Sequence, residues 1–273
     1  MVARRIRIGS SPSYTGPADI VSGATVWGGL RAYNAAYATG SNAALDLHND
    51  STGAFVATIN ILSTGALDVA TAATVIAGGA SKIGKLYDQS GTGNHATQAT
   101  LANMPTLVLN AHNTTLPVMR FDRSASQRLT TPSITAATQP YSISAVAKRT
   151  GDFTSYNTIL GCNNGLYFNN TANNVLLYGG ILTGLVAATD STMHGIQAVI
   201  NGASSIGNID GSGTTVDAGT DATASAAWEV GANGSGGSGL TGDICECGLW
   251  KALAFSGANN TALFNNQDAY WVL

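Results

Sequence analysis

Charge is what this sequence has least of. Only 10% of its 273 residues are Asp, Glu, Lys or Arg, against roughly 25% in an average soluble domain. Helix surfaces draw on Glu, Lys and Arg, whereas strands and turns are content with Thr, Asn, Ser and Gly. The deficit excludes a mainly helical protein. Glutamate is scarcest of all: Glu229 and Glu246 are the only two. A net charge of −3 leaves no basis for binding nucleic acid through its phosphates. The three cysteines, Cys162, Cys245 and Cys247, are odd in number, and two stand at i,i+2, which argues against a disulfide framework. Small buried thiols made in a reducing compartment are expected instead. No apolar run approaches the ~18 residues of a membrane span, and Met1–Arg5 lacks the apolar stretch of a secretory signal. The one basic cluster, Arg4-Arg5-Ile6-Arg7, alternates with Ile6 and Ile8 and fits an edge strand or a partner-contacting arm.

What is present reads as short strands punctuated by turns. Residues 1–20 are expected to form an extended arm, broken by Ser10-Ser11-Pro12 and Gly16-Pro17, and residues 21–273 a single domain. Trp27, Leu30, Tyr33 and Tyr37 stand at roughly helical spacing and predict a short helix ending at Gly40. Ala43–His48 and Phe55–Ile61 flank Asn49-Asp50-Ser51-Thr52-Gly53 as a hairpin. Asp68 caps a predicted helix over Val69–Ala77, which Gly78-Gly79 stops. From residue 100 the pattern is almost purely β, up to a strand at Asp243–Trp250 and a short helix after Ser256. Many short strands at this spacing predict an all-β sandwich or jelly roll with a few peripheral helices.

The densest group of polar side chains lies in Tyr87-Asp88-Gln89-Ser90-Gly91-Thr92-Gly93-Asn94-His95, a double-glycine turn. A catalytic dyad of His95 with Asp88 finds no support there, because all its members share one turn and nothing supplies an oxyanion hole. Calcium through Asp88, or through Asp210, Asp217 and Asp221 in the Gly/Thr-rich loop at 210–221, finds thin support, since calcium needs several oxygen ligands. A turn tied by its own side chains is the plainer reading, and no cofactor is expected.

Leu116-Pro117-Val118-Met119-Arg120-Phe121-Asp122 followed by Arg128-Leu129, the strand Leu240–Trp250, and the helix after Ser256 together resemble concanavalin A-like (laminin-G-like) jelly-roll domains. The turn Tyr87–His95 with Thr97-Gln98 resembles a segment in the catalytic domain of arabinofuranosidase B enzymes, loosely extended over Arg31-Ala32-Tyr33 and the hairpin at 43–61. That resemblance implies a concanavalin A-like sandwich, a Glu nucleophile in mid-chain and an Asp acid/base in a late Gly-rich segment. Here the region Asn164–Leu185 carries no Glu, Tyr178-Gly179-Gly180 stands in its place, and Asn233 falls about where the acid is implied. A retaining glycosidase needs two carboxyls about 5–5.5 Å apart, and only Glu229 and Glu246 remain as glutamate candidates. Alternation places Glu246 on one strand face with Ile244, Gly248 and Trp250, and a solvent-facing or hydrogen-bonded Glu near a sheet rim is the plainer reading.

The expectation is therefore a non-catalytic carbohydrate-binding or surface-display module. Tyr87, Asp88, Asn94, His95, Tyr167, Asn169, Tyr178 and Asn233 would contact the glycan. The lack of a signal and a composition rich in Gly, Ala, Thr and Asn resemble phage and prophage structural proteins. They imply a capsid or tail protein carried outside on a virion, contacting other subunits through residues 1–12, with a homo-oligomer as one form of that contact. The alternatives are a glycoside hydrolase of arabinofuranosidase type and a purely structural decoration protein.

Overall fold

A computed structural model of the chain describes residues 14–151, 155–168, 174–187, 191–223, 225–234 and 238–273. They form an antiparallel β-sandwich with few helices, as the composition predicts. One layer is built around the strand Gly242–Trp250, which pairs along its length with Tyr141–Arg149. On its other side lie Val26–Gly29 and Leu116–Phe121. His194–Ile200, Ser205–Ile209 and Ser212–Val216 extend that layer outward. The second layer runs from Phe55–Ile61 through Asn42–His48, Lys82–Leu86, Ala96–Thr97, Leu129–Ile134 and Ala226–Val230. It continues through Asn157–Gly161, Gly165–Phe168 and Asn174–Tyr178 to Leu182–Ala187. The layers join at one edge, where Lys82 pairs with Thr106.

Strand alternation decides which side chains meet between the layers. Trp228 of the second layer turns inward onto Tyr141 of the first, ring centroids 6.4 Å apart. Leu86, Leu160 and Val230 face Val26 and Cys247 across a void of about 10 Å³. That is barely room for one water, so the two layers meet closely at this point.

The outer face of the first layer is also buried, and here the burial is polar. Glu246 is fully buried and accepts from Arg31 Nε at 2.5 Å, Arg31 Nη2 at 2.9 Å, Gln267 Nε2 at 2.9 Å and Trp271 Nε1 at 2.8 Å. Four donors occupy both carboxylate oxygens. Arg31 also lies over the Tyr270 ring, 4.9 Å from its centroid. Gln267 and Trp271, four residues apart, share one face of the helix Gly257–Trp271, along with Asn260 and Leu263. Ser256 caps that helix by accepting from the Asn259 amide. The helix thus closes over Glu246, which shares its face with Gly248 and Trp250 as alternation predicts but not with Ile244, because a bulge at Cys245 turns Ile244 into the core. Its setting is not a sheet rim.

Three further expectations change. The segment 27–37 is not helical: Val26–Gly29 is a strand against Leu249–Glu246, followed by turns. The aromatic spacing arises because Trp27 stacks on Tyr33 at 5.2 Å once the chain has turned back. Gly29 is fixed by close approach, since a Cβ there would lie 2.7 Å from the Glu246 Cβ. Residues 14–20 are not a free arm. Tyr14 donates to the Ala32 carbonyl at 2.6 Å, and Pro17–Ile20 forms a helical turn. The rest of the expected arm lies outside the described residues. Finally, 212–216 is a strand rather than loop, because Thr214, Thr215 and Val216 are β-branched and pair with Ser205–Gly207.

Removing one member of a buried ion pair strands the other in a low dielectric. Arg31→Met is expected to lower unfolding stability by about 3–5 kcal/mol, read from urea denaturation; a change below 1 kcal/mol would contradict the role assigned to the pair.

Candidate functional site

The second layer leaves its outer face open, and its register sets out what that face carries. Cross-strand partners share a face, and one row of partners runs Asp46, Lys85, Thr97, Thr130, Glu229, Gly161, Gly165, Tyr178, Leu182. Between Glu229 and Tyr178 the row holds only glycines. At 4.7–4.9 Å per strand, this gives a bare floor between walls about 14 Å apart. Gly165 cannot be otherwise, as a Cβ would fall 2.5 Å from the Leu160 carbonyl oxygen. Beside the floor, Tyr156, Asn163, Tyr167, Tyr178, Leu182 and Asn233 line an open pocket of about 170 Å³.

Three polar atoms next to this floor are buried without a partner: Glu229 Oε2, Asn233 Oδ1 and Thr158 Oγ1. All three residues surround Gly161. Glu229 is its cross-strand partner, while a Cβ built on Gly161 would lie 3.1 Å from Thr158 Cγ2 and 3.5 Å from Asn233 Cβ. Buried polar groups are nearly always satisfied, so unsatisfied ones on three residues around one glycine single out this stretch as a candidate site for ordered water or a ligand. Glu229 is held on its other oxygen by Arg128 at 3.3 Å. Burial pushes its carboxyl above the usual range, with Arg128 opposing.

The candidates read from the sequence divide accordingly. Tyr167, Tyr178 and Asn233 come together in the pocket, with Asn233 Nδ2 donating to the Tyr167 hydroxyl at 3.4 Å. Tyr87 and His95 stand further along the same face, ring centroids 5.0 Å apart. Glu246 lies in the other layer beneath the C-terminal helix and is not paired with Glu229. Asn169 lies outside the described residues. Thr158 and the two glycines were missed; their sequence signals, an alternating Thr-Ile-Leu-Gly and a lone Gly after Asn-Asn, are common in any strand.

Asp88 and Asn94 are corrected to a structural role. Asp88 is buried and accepts from the Trp27 amide at 3.1 Å, the Ser90 amide at 2.9 Å, Thr92 Oγ1 at 2.8 Å and the Asn94 amide at 3.0 Å. No lone pair is left for a sugar or calcium. Asn94 Nδ2 donates to the Thr25 carbonyl at 2.8 Å, and Gln89 clasps the Tyr33 amide and the Gly29 carbonyl. The turn fastens the strand Val26–Gly29 in place. Asp210 accepts from the Gly195 amide and pairs with His194, and Asp217 caps the Gly219 amide. No group of three or more metal-ligating side chains occurs among the described residues.

No family model matches this chain, and no curated protein does. Solved structures do. A mutant GH54 α-L-arabinofuranosidase soaked with 4-nitrophenyl α-L-arabinofuranoside superposes with a TM-score of 0.69 at 17% identity, over 92% of this chain and 64% of that one. An arabinofuranosidase complexed with arabinofuranosyl-α-1,2-xylobiose gives 0.66 at 18% identity over the same shares. The chain therefore spans about two thirds of the length of the structures it resembles. At such identity the likeness establishes the fold: an arabinofuranosidase-type β-sandwich. It also overturns the expectation of a non-catalytic virion module, since the scaffold matched over nearly the whole chain is that of glycosidases.

The Asp88 carboxyl tests the structural reading of the turn. Burial raises its pKa, and hydrogen bonds from Ser90, the Trp27 amide and Thr92 outweigh that, leaving it below the usual range. Its stabilising share is therefore complete above the unfolded value of about 3.9 and is lost as pH falls through the lower folded value. Asp88→Ala should lose about 1–3 kcal/mol at pH 7 and flatten the pH dependence of urea unfolding below pH 4. Unchanged stability across that range would refute the clasp.

Proposed function

We propose that this chain is a glycoside hydrolase of arabinofuranosidase type, engaging a furanoside-bearing glycan on the outer face of the second layer. The carrying observation is the set of unpartnered atoms on Glu229, Asn233 and Thr158 around Gly161. A sugar ring over the Gly161–Gly165 floor brings hydroxyls up to Asn233, which lines the pocket, and to the edge of Glu229. Tyr167 and Tyr178 offer ring faces beside it. The concanavalin A-like ancestry expected from the sequence belongs to the same reading.

Glu229 takes the role of general acid. Its raised pKa keeps a larger fraction protonated at mildly acidic pH, and a protonated carboxyl can deliver its proton to the leaving oxygen as the glycosidic bond breaks. The low accessibility that raises the pKa also strengthens its hydrogen bonds to substrate. The next carboxylate along this row is Asp46, four strands and about 19 Å away. That exceeds both carboxyl separations used by glycosidases, about 5–5.5 Å and 6.5–9.5 Å. Along this row the part carried is therefore the acid and the sugar cradle.

General acid assistance matters most for poor leaving groups. Glu229→Gln is expected to reduce release of arabinose from an arabinofuranosyl xylo-oligosaccharide by about 10²–10⁴-fold, and from a 4-nitrophenyl arabinofuranoside by much less. Wild-type turnover should decline as pH rises through the Glu229 pKa, which lies above the usual carboxyl value of about 4.3. Absence of turnover on both substrates, or an equal loss on both, would count against this role.

A further inference from the structure

Past Glu229 and Thr130, the same register row continues through Thr97 to Lys85. Here Lys85, Gly93, His95, Thr97, Thr130 and Pro132 line a second open pocket of about 460 Å³. Its polar groups are biased in one direction. The Lys85 ammonium sits 4.1 Å from the centroid of the Tyr87 ring and has no carboxylate within ion-pair distance among the described residues. The nearby acid, Asp46, is engaged by the hydroxyls of Thr58 and Tyr87. His95 Nδ1 accepts from the Asp88 amide at 2.9 Å, so its free ring nitrogen, Nε2, carries the proton of the neutral ring. Burial and then Lys85 lower the His95 pKa, against Asp88 and Asp46, so the neutral, donating form prevails near pH 7. Lys85, His95 and the hydroxyls of Thr97 and Thr130 thus present donors, and no carboxylate lines the pocket.

We propose that this pocket is a second subsite for an anionic sugar residue, a uronate carboxylate or a sulfate ester, on the glycan whose furanoside lies at Glu229. The inference rests on the hydrolase reading for the orientation of the glycan. Lys85 lies three strands, about 14 Å, from Glu229. That is the reach of a short oligosaccharide and beyond a monosaccharide. An acceptor-only ligand group satisfies the unpaired ammonium and the surrounding donors together. Tyr87 keeps Lys85 in position through its ring face.

The test is calorimetric titration of the full chain with three oligosaccharides of equal length: xylotetraose, a glucuronate-substituted analogue and a sulfated analogue. At least one acidic glycan should bind about tenfold or more tightly than the neutral one at low salt, as one charge-assisted hydrogen bond provides. The advantage should shrink with added salt. Lys85→Gln should collapse the ratio towards one, and Lys85→Arg should restore it. The two acidic arms identify which anion is preferred. Equal affinity for all three, a preference surviving Lys85→Gln, or no binding of any would overturn the subsite. Turnover of 4-nitrophenyl arabinofuranoside by the same wild-type preparation is scored separately, so failure of the subsite and failure of the hydrolase reading are distinguishable.

Discussion

The carboxylate of Glu246 is the point on which three distant parts of the chain converge. Arg31 reaches it from the N-terminal segment, Gln267 and Trp271 from the C-terminal helix, and Glu246 itself belongs to the central strand. A carboxylate buried this completely is tolerated only because four donors replace its lost water. Desolvation alone would lower the Arg31 pKa, and Glu246 overturns that and raises it. An apolar contact of the same size would not demand this one arrangement of helix, strand and N-terminal segment. The polar hub does, through direction as well as proximity.

The hub has a consequence for the opposite layer. With its outer side occupied, the strand Gly242–Trp250 turns Cys247 inward, against Leu160 and Val230. Those two residues flank Gly161 and Glu229 on their strands, with their side chains on the other face. The tight interior therefore sets the height of the Gly161–Gly165 floor and holds Glu229 against Arg128. The turn at Asp88 works from a second side by fixing Val26–Gly29, the strand edge-on to the central one. The proposed site on the open face thus rests on an interior that its residues do not share.

Much of this architecture is legible in the sequence. Low charge marks the fold class through the whole composition, while the Asn49–Gly53 turn, the Asp68 cap and the helix start after Ser256 are each written in a few residues and each corresponds to an observed element. What could not be read depends on long separations. Glu246 gives no local sign that Arg31, 215 positions away, will neutralise it. Trp27 and Tyr33 mimic helical spacing because a strand followed by turns can also bring them together. At the candidate site, Tyr167, Tyr178 and Asn233 were recognisable as sugar-contacting types, and they do meet. Thr158 and Gly161 were invisible because a threonine and a glycine in a strand carry no signal until register sets them beside Glu229. The scarcity of glutamate argued against hydrolysis from a count alone. The count says nothing of where a single glutamate is placed.

The most direct test of the account is a crystal structure of the Glu229→Gln variant soaked with arabinofuranosyl-α-1,2-xylobiose. The account predicts the furanose over Gly161 and Gly165, with a hydroxyl on Asn233 and the glycosidic oxygen within hydrogen-bond distance of residue 229. A sugar bound elsewhere on the sandwich, with the glycine floor empty at saturating ligand, would contradict it.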